Sequence, residues 1–190
     1  MTATSQLKAA LDKIAADVKH IYPKPLAGRY ALDIDASGDG TWVSISPQYA
    51  QLRNATAPNV NANVNWGTVP MGITDFTQGQ FAISGDGIEC QFTGVIKATA
   101  HLSYFGNQTI RTNPIIRLAG PAATPQIVQG KSGYIRDGTG HDESSVTIPG
   151  IMFNVVAGEI VTVEVKRETT AGGVVTIPVG GSFLLVERVS

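Results

Sequence analysis

Between Leu7 and Ile21 the apolar side chains fall at Leu7, Leu11, Ile14, Val18 and Ile21, in steps of four, three, four and three. That period predicts an amphipathic helix over residues 5–22 with a heptad seam. Leu11 and Val18 occupy a, and Leu7, Ile14 and Ile21 occupy d. Thr4 or Ser5 can cap this helix, Ala9, Ala10, Ala15 and Ala16 favour it by propensity, and Pro23 ends it. Leu at a with Ile at d favours three or four strands over two, a preference that Val18 weakens. The seam is shorter than the roughly three to four heptads of a firm coiled coil. Two outcomes stay open: a short trimeric stem, or a stripe that packs on the chain's own β-domain.

After Pro23 the period changes from seven to two. In "RYALDIDASGDGTWVSISP" Tyr30, Leu32 and Ile34 alternate with polar or small residues. "SGDG" interrupts, and Trp42, Val43 and Ile45 resume, which predicts a hairpin. Residues 48–72 are rich in Asn, Ala and Pro without a sustained period, and predict an irregular connector. From about residue 73 strands recur. In "CQFTGVIKATAHLSYF", Phe92, Gly94, Ile96, Ala98, Ala100, Leu102 and Tyr104 face one way, while Thr93, Val95, Lys97, Thr99, His101 and Ser103 face the other. Later runs are each bounded by Gly, Pro, Asn or Asp, a spacing that predicts a sandwich or jelly roll. Phe183, Leu184, Leu185 and Val186 break the alternation. Four consecutive apolar residues predict a strand buried on both faces, one in the core and one against something else.

The expected organisation is a helix at 1–22, a hairpin and connector at 23–65 as a candidate anchoring region, and a β-head at 66–190. The chain has 190 residues, enough for one core and an appendage. Only 15% of residues are charged, a low share that suggests surface covered by other copies or other proteins. A formal net charge of −1 leaves no basic footprint for nucleic acid. No apolar run approaches a membrane span. Lys8, Asp12, Lys13 and Asp17 interrupt the N-terminal segment, which does not read as a signal peptide. Production in a reducing cytoplasm is the expectation, and the single cysteine, Cys90, fits it.

Candidate chemistry is sparse. "DIDASGDG" places Asp33, Asp35 and Asp39 at alternating positions, a weak calcium candidate. Its twelfth position is Ser44 instead of Glu, and strands flank it where helices should, so a turn reads better. His20, His101 and His141 share no ligand spacing. "GHDESS" holds triad residue types side by side, whereas a triad is assembled from distant segments. "GKS" at 130–132 lacks the earlier glycine of a phosphate loop, since position 125 is Pro125. Cys90, without a basic neighbour, reads as a small apolar residue. Sequons at Asn54 and Asn107 matter only in a secreted protein. The expectation is a non-enzymatic protein without cofactor or metal.

Three stretches carry a family resemblance. "MFNVVAGEIVTVEVKRE" resembles the L-x-x-GD-x-V-x-L-x-V element of the tumour-necrosis-factor and complement-globular-head jelly rolls, with Glu159 for the usual Asp. "GGSFLLVERV" resembles their last strand, and "ISGDGIECQFTGVIKATAHLSY" a strand pair of theirs, without the Tyr usual after Gly87. The resemblance spans roughly residues 66–190. It implies a ten-strand jelly roll assembled as a homotrimer, which would cover the second face of Phe183–Val186 and agree with the heptad seam. Stem, connector and knob together resemble a virion protein of a tailed bacteriophage: a trimeric head fibre or capsid decoration protein, made in the host cytoplasm. Its partners would be itself and the major capsid protein or another virion protein, with neither nucleic acid nor membrane. Two alternatives remain. One is a tail-fibre tip that grips a host surface glycan or protein through Tyr104, Phe105, Arg111, Arg136, His141 and Asp142. The other is a non-viral β-sandwich binding module, which predicts a monomer.

Overall fold

The two strands foreshadowed by Tyr30–Ile34 and the residues after "SGDG" pair in a plain ladder. In the computed structural model β1 (Tyr30–Ile34) runs antiparallel to β2 (Gly40–Ser44), from Tyr30 opposite Ser44 to Ile34 opposite Gly40. The structure describes residues 30–34 and 40–44 through their backbone, and residues 48–60, 65–107, 113–120, 129–131, 142–168 and 174–189. The seam residues Leu7, Leu11, Ile14, Val18 and Ile21 lie outside the described residues, as do Asp35 and Asp39. Asp33 sits in β1 opposite Thr41. The chain divides into two units, residues 1–46 and 47–190. No α-helix occurs among the described residues.

The second unit is a sandwich of two antiparallel sheets. One sheet is ordered β11 (Glu143–Val155), β8 (Gly94–Asn107), β14 (Phe183–Arg188), β3 (Tyr49–Arg53) and β5 (Ile73–Gln78), with the short β13 (Val174–Thr176) also on β8. The other is ordered β10 (Gln129–Lys131), β9 (Pro114–Ala119), β12 (Glu159–Arg167), β7 (Gly87–Cys90) and β6 (Phe81–Ser84), with β4 (Gly67–Thr68) also on β12. Among the described residues ten strands lie on the two main paths, five in each sheet, and β4 and β13 pair onto β12 and β8 beside them. The chain crosses between the sheets repeatedly, at β5–β6, β7–β8, β8–β9, β10–β11 and β11–β12, while β6–β7 and β9–β10 pair within one sheet.

The sandwich begins earlier than residue 66. β3, inside the stretch whose composition reads as connector, lies between β14 and β5 and buries Ala50 and Leu52 completely. Trp66, just ahead of β4, lies against the cations of Arg117 and Lys166, at 4.3 and 4.7 Å from its ring centre. Such contacts hold the end of the connector on the second sheet.

Period-two alternation fills the interior. Ile96, Ala98, Ala100, Leu102 and Tyr104 of β8 are buried, as are Leu184 and Val186 of β14. Ile116 and Leu118 of β9 and Val161, Val163 and Val165 of β12 are their counterparts in the other sheet. Burying each large aliphatic side chain contributes on the order of 1.5–3 kcal/mol. Gly158, at φ 92°, makes the tight turn between β11 and β12, where its amide donates to Cys90 O at 2.8 Å.

Hydrogen bonds fix which strand ends lie together. The chain enters at Gln48, whose carbonyl accepts from Arg188 N, and Val189 N donates to Val95 O, so entry and exit share one end. At the opposite end Gly106 N donates to Asp142 O, Glu168 N to Asn113 O, and Val174 lies across from Asn107. The described strand ends at Asn107, Asn113, Asp142, Glu168 and Val174 therefore all lie at the end far from the entry.

Candidate functional site

The outward residues of the β11–β8–β14–β3–β5 sheet form three cross-strand rows. The first reads Thr147, His101, Phe183, Arg53, Ile73. The second reads Thr99, Leu185, Gln51, Phe76, and the third Met152, Lys97, Glu187, Tyr49, Gln78. Aromatic rings pack along the first row and between the second and third. His101 stacks on Phe183 at 5.6 Å and 23°, and Tyr49 meets Phe76 edge-on at 4.8 Å. The His101 ring nitrogens lie 2.9 Å from Thr147 Oγ1 and 3.1 Å from Ser103 Oγ, which fix the ring's plane.

Charges on this face are matched from within. Lys97 Nζ reaches Glu187 at 2.7 Å. In β5 a bulge opposite Gln51 and Leu52 leaves Asp75 unpaired in the ladder, and its carboxylate accepts from Arg53 Nε and Gln51 Nε2, both at 2.7 Å. Burial pulls the Asp75 carboxyl up, but the Gln51 and Arg53 hydrogen bonds and the Arg53 charge outweigh it and hold it below the usual carboxylate range. What remains at the centre is Phe183, Leu185 and Tyr49, half-buried, beside a 38% exposed Phe76. This surface can meet an apolar partner without stranding a charge.

The far end of the same face holds a pocket of about 450 Å³ lined by Ser103, Tyr104, Phe105, Glu143, Ser144, Ser145 and Pro178. Asn54 builds its Pro178 wall. Completely buried, Asn54 donates from Nδ2 to Pro178 O at 2.8 Å and to Thr56 O at 3.0 Å, and its Oδ1 accepts from Ser182 N at 3.0 Å. Ser182 Oγ then accepts from Ser103 N, joining the 178–182 turn to β8.

The residues singled out in the sequence distribute as follows. Leu184 and Val186 lie in the core, while Phe183 and Leu185 lie half-buried on the outer face. Tyr104 is inside the sandwich with its hydroxyl sealed from solvent, so that hydroxyl has no access to a surface ligand. Phe105 is exposed on the pocket, and Asp142 is half-buried beside Glu143. Arg111, Arg136 and His141 lie outside the described residues. Cys90 is fully buried; burial, then Glu159 and Glu89, push its thiol up to about 12, which leaves it unreactive near neutrality. Sequence reasoning missed two residues. Asn54 looked like a loop sequon but is an internal clamp, and Trp66 gave no signal beyond being a tryptophan in a polar stretch.

No family model matches the chain, and no curated protein matches it. Solved structures do. Murine APRIL superposes with a TM-score of 0.53 at 14% identity, covering 76% of this chain and 100% of that one. The globular domain of zebrafish complement 1qA gives 0.52 at 13% identity, over 76% and 98%. The Eiger TNF from S. frugiperda gives 0.50 at 12% identity, over 76% and 93%. The likeness is one of fold. This sandwich is a jelly roll of the tumour-necrosis-factor and complement-head kind, mainly β and built of two antiparallel sheets.

Proposed function

We propose that the chain is a non-enzymatic structural protein that assembles as a homotrimer through the outer face of the β11–β8–β14–β3–β5 sheet. The observation that carries this reading is the centre of that face: Phe183, Leu185, Tyr49 and Phe76, flanked by charges that already pair within the chain. The heptad seam at Leu7–Ile21 and the trimeric habit implied by the family resemblance support the same symmetry. In this reading the protein is a virion component of a tailed bacteriophage, a head fibre or capsid decoration protein, made in the host cytoplasm and attached through its N-terminal region. The position of Gln48 at one end of the sandwich, with the loop-bearing strand ends at the other, supports attachment at the first and display at the second.

Light scattering coupled to size exclusion tests the assembly. A mass near three times the 20.0 kDa chain is expected, and the mass of one chain overturns the reading in favour of a monomeric binding module. Attachment is tested on naked capsids: the full chain binds, and a chain without residues 1–22 keeps a folded head and does not. Retained binding overturns the polarity. The clustering of loop-bearing strand ends also favours a second reading, a receptor-binding tail-fibre tip. That reading predicts binding to host cells and none to capsids.

A further inference from the structure

The far-end pocket has a chemistry of its own. Glu143 stands directly across from Phe105 in the β11–β8 ladder, so a carboxylate and an exposed ring are cross-strand neighbours. Among the described residues the side chains of Glu143, Ser144 and Ser145 have no hydrogen-bond or ion-pair partner. Ser103 is engaged with His101, and Pro178 supplies an apolar wall held by the buried amide of Asn54. The wall is therefore set before anything binds, which lowers the ordering cost of binding.

We infer that this pocket is a subsite for one ring of a neutral saccharide. A carboxylate is acceptor-only with two oxygens, suited to accept hydrogen bonds from two adjacent hydroxyls in charge-assisted contacts. The electron-rich face of Phe105 attracts the positively polarised C–H face of a pyranose. The Ser145 hydroxyl, donor and acceptor both, lies on the same strand face as Glu143 and can serve a further hydroxyl. A pocket of about 450 Å³ lies at the lower end of the range for small-molecule sites, matching one or two rings more than an extended chain. Asp142 and Glu143 are the described charged groups beside it, both acidic, so an anionic sugar is repelled. The inference goes beyond the structural role proposed above and does not require any particular number of copies.

The test is saturation-transfer NMR and titration calorimetry on the full chain with methyl glucoside, methyl galactoside, N-acetylglucosamine and glucuronic acid, with solution mass recorded alongside. Binding of at least one neutral sugar is expected, with a dissociation constant on the order of 1–10 mM. Glucuronic acid is expected to show none. Glu143→Gln and Phe105→Ala, both at exposed positions, are each expected to weaken binding at least about tenfold while leaving mass and melting temperature unchanged. Silence toward every neutral sugar overturns the inference, as does equal binding of glucuronic acid or binding indifferent to both substitutions. Capture of methylammonium without any sugar also overturns it, marking the pocket as a site for a cationic side chain. An altered mass with intact sugar binding would instead fall on the trimeric reading.

Discussion

Tyr104 bears a hydroxyl that is buried without a hydrogen-bond partner, the one such side-chain atom among the described residues. Burial pushes its ionisation well above the ordinary tyrosine value. An orphaned buried polar group costs about 1–3 kcal/mol, so Tyr104→Phe, which keeps the ring, should raise stability by about 1 kcal/mol. Denaturant unfolding checks it: the midpoint should rise at constant slope, and a fall would show that the hydroxyl has a partner in solution. The alternation that sends Ile96, Ala98, Ala100 and Leu102 inward carries Tyr104 inward as well. A role for Tyr104 in gripping a surface ligand conflicts with that period, and the period prevails. Asn54 shows the opposite limit. Its side chain bonds to nearby Thr56 but also to Pro178 and Ser182, 124 and 128 residues away, and no local pattern encodes those two partners.

At the scale of elements, β8, β11, β12 and β14 were legible because each carries a long apolar alternation or run, whereas β3 and β5 were not. β3 offers the core only Ala50 and Leu52. β5, "ITDFTQ", is an edge strand half-buried at Ile73 and exposed thereafter, so no apolar face marks it. Its bulge gives it a testable signature. Asp75 ionises more readily in the folded chain than in the unfolded one, so its contribution is complete above the unfolded value of about 3.9 and is lost as pH falls through its lower folded value. The side chain of Arg53 is 41% exposed and that of Asp75 19%, on a strand largely open to water, so solvent screening keeps the contribution below about 1 kcal/mol. Urea unfolding between neutrality and strong acid should show wild type losing stability below about pH 4 more steeply than Asp75→Asn. Parallel curves would mean that the Arg53–Asp75 pair does not persist in solution.

For the whole molecule, the decisive position is Leu185. Its neighbours across the ladder are Thr99 and Gln51, its side chain is half-buried on the outer face, and Leu184 beside it is wholly within the core. One strand thus separates two roles over adjacent residues. Leu184→Glu would place a charge in the core and unfold the sandwich; Leu185→Glu leaves the core intact and charges only the proposed contact. Three copies of that glutamate brought together would also repel one another. In the proposed trimer a stem and a head contact would raise each other's effective concentration, so weakening the head contact should give a concentration-dependent mixture. The measurement is solution mass across a dilution series, with circular dichroism to confirm that the β-structure is retained. Wild type should hold three chains throughout, and Leu185→Glu should fall toward one on dilution. If the variant keeps three chains at every concentration, the copies do not meet on this face, and the half-buried Phe183 and Leu185 need another partner.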